Sequence, residues 1–88
     1  MSLSNQIKNI LIDVPDFPKP GILFKDITPI FKDSSLSKAL IEEAATLIQG
    51  TGAEVVVGLE SRGFPMGFAI ALRLNLPFVM IRKRGKLP

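Results

Sequence analysis

The stretch Val55–Gly67, VVVGLESRGFPMG, decides the fold. Glu54–Gly58 contains three consecutive valines and reads as a buried strand. It runs into Glu60-Ser61-Arg62-Gly63, and Met66–Leu74 then reads as a helix with Pro65 in its first turn, where an amide would lack a partner anyway. A strand that delivers a short polar loop to a helix start leaves unpaired amides and the positive end of the helix dipole facing that loop. This arrangement takes an anion. Arg62 adds a forked, permanently charged donor suited to phosphate oxygens. The alternative is an ordinary βα turn in which Gly58 and Gly63 relieve backbone strain and Arg62 is solvated.

Both flanks support a layered α/β arrangement. Upstream, Asp33-Ser34-Ser35 offers helix caps, and Leu36, Leu40, Ala44 and Ile48 recur at spacing four, so a helix is expected over Leu36–Gln49. Gly50 and Gly52 close it. Downstream, Gly67 and Ala71 give the second helix a small-residue face that can approach a neighbour closely. Asn75-Leu76-Pro77 ends that helix, and Phe78–Ile81 reads as a second strand. Strand, helix and strand in this span make a βαβ unit, expected to be parallel with a right-handed crossover. Ligands of such sheets gather at the carboxyl ends of the strands. Glu60–Gly63 and the run Arg82-Lys83-Arg84-Gly85-Lys86 both fall there, so the two polar segments should converge.

Toward the N-terminus, Met1-Ser2-Leu3 is left out of the reading, and Ser4–Leu11 forms a short helix with Ile7, Ile10 and Leu11 on one face. Asp13–Gly21, DVPDFPKPG, carries three prolines and is expected to be stiff without regular structure. Pro20-Gly21 is a turn pair. Ile22-Leu23-Phe24 is a short extended run; Phe31 reads as core, while Phe24, beside the proline-stiffened loop, also suits a planar ligand.

The 88 residues are 47% hydrophobic, which fits a globular chain. Two parallel strands need cover on both faces and neighbours on both edges, so the chain reads as part of a larger α/β assembly. With no cysteine and no histidine, disulfides, thiolate metal sites, histidine ligands and histidine bases are all excluded. No apolar run approaches spanning length and no signal-peptide layout is present, so a soluble cytoplasmic protein without a membrane partner is expected. The net charge is +3, and five of the eleven basic residues lie between Arg73 and Lys86. That clustering points to a local anionic partner. A nucleic-acid module is disfavoured, because no aromatic stacking platform accompanies the basic run.

Three segments in order, VPDFPKPGILFKDITPIFKD (Val14–Asp33), VVGLESRGF (Val56–Phe64) and IRKRGKLP (Ile81–Pro88), resemble the adenine phosphoribosyltransferase family. The resemblance covers essentially Asp13–Pro88. It implies purine salvage: transfer of adenine onto 5-phosphoribosyl-1-pyrophosphate (PRPP), giving AMP and pyrophosphate, with Mg2+ bound along with the PRPP. It also implies a homodimer. The fold class expected is α/β, an N-terminal hood segment plus the first βαβ portion of a parallel-sheet phosphoribosyltransferase fold, truncated. Residues 1–35 would be the helix and purine-binding hood, and residues 36–88 an incomplete core.

By the same resemblance, Leu23, Phe24 and Lys25 would hold adenine, with Phe24 stacked on the ring and the backbone of Leu23 and Lys25 reading its edge. Glu60, Ser61, Arg62 and Gly63 match the family's pyrophosphate loop, which typically contains a cis peptide at Glu60–Ser61. Arg82, Lys83 and Lys86 match basic residues near pyrophosphate, and the Arg82 equivalent is thought to reach a neighbouring subunit's site. The departures are equally specific. The family's acidic-pair, Gly/Thr-rich phosphoribosyl motif and its general-acid loop are absent. Pro65 stands where an aliphatic residue is more usual. The chain therefore carries no catalytic residue of its own and no protein metal ligand, and it is expected to be inactive and poorly behaved alone. The competing reading is a non-catalytic purine- or anion-binding or regulatory domain of the same fold.

Overall fold

The valine run does form a strand, and in the computed structural model, which describes residues 2–88, it pairs in parallel with the strand that follows the helix. The chain divides into two units, one reaching to Leu40 and the other Ile41–Pro88.

In the first unit, helix α1 spans Leu3–Ile10. Ser2 and Leu3, set aside in the reading above, take part: the Ser2 hydroxyl accepts the Asn5 amide at 3.1 Å and caps the helix. Met1 lies outside the described residues. Strands β1 (Ile12–Pro15) and β2 (Leu23–Asp26) then form an antiparallel pair, with Val14 opposite Phe24 and Asp13 opposite Lys25. This corrects the expectation that Asp13–Gly21 lacks regular structure. Pro15 is the terminal residue of a four-residue strand, where a missing amide does little harm, so the prolines confine the irregular part to the connection.

That connection is tightly tied. The Phe17 amide donates to the Ile22 carbonyl at 3.1 Å, the Ile22 amide to the Lys19 carbonyl at 3.3 Å, and the Gly21 amide to the Asp16 carboxylate at 3.0 Å. Gly21 has φ +88°, which completes a Pro20-Gly21 turn that a side chain would strain. The Phe17–Pro18 peptide is cis. A short helix α2 (Thr28–Lys32) follows, with the Thr28 amide bonded to Asp26, and α3 (Ser34–Ile48) starts with the Leu36 amide on the Asp33 carboxylate at 2.9 Å. Ile30 and Leu36 are buried here. Phe31, expected in the core, is 42% exposed: α2 is short, and Ile30 occupies its inward position instead.

In the second unit, β3 (Val56–Leu59), α4 (Gly63–Leu74) and β4 (Phe78–Ile81) make the βαβ element. The register pairs Val56 with Phe78 and Leu59 with Ile81. The Val56 amide donates to the Pro77 carbonyl, and the Glu60 amide to the Ile81 carbonyl, each at 3.0 Å, so the ladder runs one rung beyond the strands at both ends. Helix α4 begins at Gly63, three residues before the expected start, because Gly63-Phe64-Pro65 suits a first turn. It ends on Asn75 in the left-handed region, φ +57°. Arg73 forks onto the Glu42 carboxylate of α3 through Nε and Nη2. That hydrogen-bonded guanidinium holds the Glu42 carboxyl below its ordinary value.

Helix α4 covers one face of the strand pair through Gly67 and Ala71, both buried. A Cβ on Gly67 would sit 2.5 Å from the Phe78 ring, so the expected close approach is made to that side chain. The other face, Val57, Leu59, Val79 and Ile81, is open, with Leu59 63% exposed. The valine run is thus not buried as expected: Val55 and Val57 are exposed and only Val56 is half-buried, since only one layer packs on it. Among the described residues no helix is long and apolar enough to cross a membrane.

Candidate functional site

The carboxyl end of the parallel pair in the second unit gathers the polar residues the sequence singled out. β3 ends at Leu59, the Glu60–Ser61 peptide is cis, and Arg62 takes helical geometry at the head of α4 with no side chain capping the amides behind it. The Phe64 amide donates to the Ser61 carbonyl at 3.1 Å. Ser61 and Arg62 are exposed and Gly63 is half-buried.

Two glycines set how closely this loop lies on the strand. A Cβ at Gly58 would be 2.5 Å from the Gly63 carbonyl oxygen and 2.5 Å from Phe78 Cζ; one at Gly63 would be 3.3 Å from the Gly58 backbone. Neither residue has a positive φ. They are needed for space, and the strain-relief reading of these two glycines is corrected.

The basic run does meet the loop, and Glu60 is the reason. Its carboxylate accepts the Lys83 amide at 2.6 Å on one oxygen and the Arg82 guanidinium on the other, Nη2 at 3.1 Å and Nε at 3.3 Å. The Arg82 guanidinium also lies 5.9 Å from the Phe64 ring centroid, within cation–π reach. The Lys83 amide bond is the chief cause that holds the Glu60 carboxyl below its ordinary value. Partial desolvation opposes the shift, and the Arg82 and Lys83 charges reinforce it. Beyond this anchor the chain turns through Gly85, φ +88°, and the Lys86 amide closes on the Lys83 carbonyl at 3.1 Å. Glu60 thus brings the Arg82 side chain and the Lys83 backbone, and with them the start of the basic run, to a helix start that no side chain caps, a setting that suits an anion.

Leu23, Phe24 and Lys25 lie together on β2, in the first unit. Leu23 is exposed and Phe24 half-buried. Lys25 Nζ is hydrogen-bonded to the Asp13 carboxylate across the hairpin. The Phe17 ring meets Phe24 in a T-shaped contact, centroids 5.1 Å apart and planes at 70°. Sequence reading missed Asp13, Phe17 and Phe78. The opposite charges of Asp13 and Lys25, on either side of a Pro-Gly turn, are the signal that a hairpin reading would have used.

Among the described residues there is no group of three or more acidic, histidine or cysteine side chains able to hold a metal.

No protein-family model matches the chain. Relatives do. Adenine phosphoribosyltransferase of Synechococcus sp. (strain RCC307) is 47% identical over 87 residues, which is 99% of this chain and 49% of that protein. Among solved structures, adenine phosphoribosyltransferase from Thermoanaerobacter pseudethanolicus superposes with a TM-score of 0.91 at 44% identity, covering 99% of this chain and 50% of the other. The Giardia lamblia enzyme, solved with 9-deazaadenine, gives a TM-score of 0.91 at 38% identity over 100% of this chain and 48% of its own. The chain spans about half the length of the relatives it matches. The α/β phosphoribosyltransferase fold expected from the motifs agrees with these matches over that half.

Proposed function

We propose that this chain, related to adenine phosphoribosyltransferases over 99% of its length, supplies the adenine-holding and pyrophosphate-holding elements of an enzyme that makes AMP and pyrophosphate from adenine and magnesium-bound PRPP. Residues 1–35 are the purine-holding segment and residues 36–88 an incomplete phosphoribosyltransferase core. Phe24 stacks on the base, and the backbone of Leu23 and Lys25 reads its edge. Glu60-Ser61-Arg62-Gly63, with Arg82, Lys83 and Lys86, holds the pyrophosphate. The observation that carries this reading is the Glu60 anchor, which ties the basic run to the loop at the head of α4. Cleavage at the anomeric carbon leaves an oxocarbenium-like sugar and a highly charged leaving group, and amides and guanidinium groups already in place stabilise that charge as it develops. No histidine is required. A homodimer fits the same reading, supported by an apolar groove of about 540 Å³ lined by Phe64, Pro65, Phe68, Phe78 and Met80. The setting is the cytoplasm, where a soluble salvage enzyme works.

The test is AMP formation by the full-length protein from adenine and magnesium-bound PRPP, together with pyrophosphate binding, for the wild type, Arg62→Ala and Lys86→Ala. Each substitution removes a charged hydrogen bond and should weaken pyrophosphate binding roughly 10- to 100-fold. A second reading is a non-catalytic purine- or anion-binding or regulatory domain of the same fold. Binding of adenine and PRPP without AMP formation supports that reading. If neither ligand binds, both readings fail.

A further inference from the structure

We infer that Phe17 is a positioning residue for purine stacking, fixing the plane of the Phe24 ring before the base arrives. The inference rests on the adenine reading of Phe24 given above and adds a residue to it. Phe17 is 49% exposed, so its ring is not there to build the core of its unit, which is formed by Ile30 and Leu36. What the ring does touch is Phe24, edge against face, at a centroid distance inside the favourable range for such pairs.

The loop around Phe17 is ordered more firmly than a surface connection requires. Its own amide is tied to the Ile22 carbonyl, the preceding Asp16 carboxylate takes the Gly21 amide, and the Lys19–Ile22 turn closes the far side. Pro18 restricts the backbone of Phe17 directly. On the other strand, Phe24 is held opposite Val14 by the hairpin register, and the Lys25–Asp13 ion pair pins the neighbouring position. Both rings therefore stand on fixed backbone. Phe24 cannot rotate its plane without giving up the Phe17 contact, and a ring that is already oriented loses less side-chain freedom when a planar ligand stacks on it.

The experiment is adenine titration calorimetry on the full-length protein, for the wild type, Phe17→Ala, Phe17→Tyr, Phe24→Ala and the double variant Phe17→Ala/Phe24→Ala. PRPP binding and the KM for each substrate are measured in parallel. Phe17→Ala should weaken adenine about 3- to 10-fold, the worth of one oriented aromatic contact, raising the KM for adenine while leaving PRPP affinity unchanged. Phe17→Tyr, which keeps the ring edge, should restore wild-type affinity. In the Phe24→Ala background, Phe17→Ala should have no further effect. Before any ligand is added, Phe24 ring protons should move toward their unstructured shifts in Phe17→Ala. Wild-type binding that Phe17→Ala leaves unaltered overturns the inference while the adenine reading stands. An equal loss with and without Phe24, or a parallel loss of PRPP affinity, assigns Phe17 a general structural role and also overturns it. A wild type that binds PRPP but no adenine, with Phe24→Ala indistinguishable from it, overturns the adenine reading and takes this inference with it.

Discussion

Phe78 is wedged between two glycines, and adding a methyl group to each should give opposite outcomes once the ring is removed. At Gly58 a Cβ would lie 2.5 Å from both the Gly63 carbonyl oxygen and Phe78 Cζ, roughly 1 Å inside ordinary contact. The ring cannot retreat toward α4, because the Gly67 position already faces Phe78 Cε1, where a Cβ would be 2.5 Å away. Relief must come from the Gly63 carbonyl and hence from the loop at the head of α4. Gly58→Ala should therefore cost about 2–3 kcal/mol, the upper part of the overpacking range.

The three atoms nearest a Cβ at Gly67 all belong to the Phe78 ring, and Gly67→Ala gains about 1 kcal/mol of helix propensity, so its net cost should be near 1 kcal/mol. In a Phe78→Leu background the aromatic atoms that oppose Gly67 are gone. Gly67→Ala should then become stabilising by about 0.5–1 kcal/mol, whereas Gly58→Ala should stay destabilising by about 1–2 kcal/mol against the Gly63 carbonyl. Denaturant unfolding of the six proteins, read as a double-mutant cycle, measures this directly. A Gly67→Ala cost that is the same in both backgrounds would refute the wedge. So would a Gly58→Ala change that turns neutral in Phe78→Leu.

Two further perturbations test the anchor and a cap. Because the folded Glu60 carboxyl titrates below its ordinary value, its stabilising contribution is complete above about pH 4.3. It is lost as the pH falls through the lower, folded value; the Lys83 amide shift should report that midpoint in an NMR titration, and a midpoint at or above 4.3 would contradict the anchor. Asp33→Ala removes the acceptor of the Leu36 amide and should lower stability by about 1 kcal/mol, while Asp33→Ser should restore most of it; unfolding curves that coincide for all three would show the cap to be idle.

How much of this was legible in the sequence follows from how local each signal is. The valine triplet, the Gly50/Gly52 stop and the Asn75-Leu76-Pro77 break act within a few residues, and the helices and parallel strands formed where they indicated, with no end shifted by more than three positions. Strand β1 was hidden because Pro15, Pro18 and Pro20 dominate the composition of its segment, although only Pro15 lies in the strand, at its end. Phe31 faced outward because a helix of five residues has room for one inward position, and Ile30 holds it. Likewise, the motifs told which residues gather at the carboxyl ends of β3 and β4, but not that Glu60 is what gathers them. That contact joins positions more than twenty residues apart, and it depends on the register of Leu59 with Ile81. Phe17 and Phe78 were missed for the same reason: a lone aromatic carries no mark of which partner it will meet.

One hydrogen bond at the end of the parallel ladder differs in kind from the rest. A residue in such a ladder donates its amide to one neighbour on the facing strand and offers its carbonyl to the neighbour two places further on. Glu60 does the first with its backbone, to Ile81, but meets the Lys83 amide with its side-chain carboxylate. Main-chain rungs are indifferent to heredity, since any codon other than proline's encodes the same amide and carbonyl. At this rung the acceptor is spelled by the codon for residue 60. A single nucleotide change can thus erase a strand-to-strand hydrogen bond that point mutation ordinarily cannot reach.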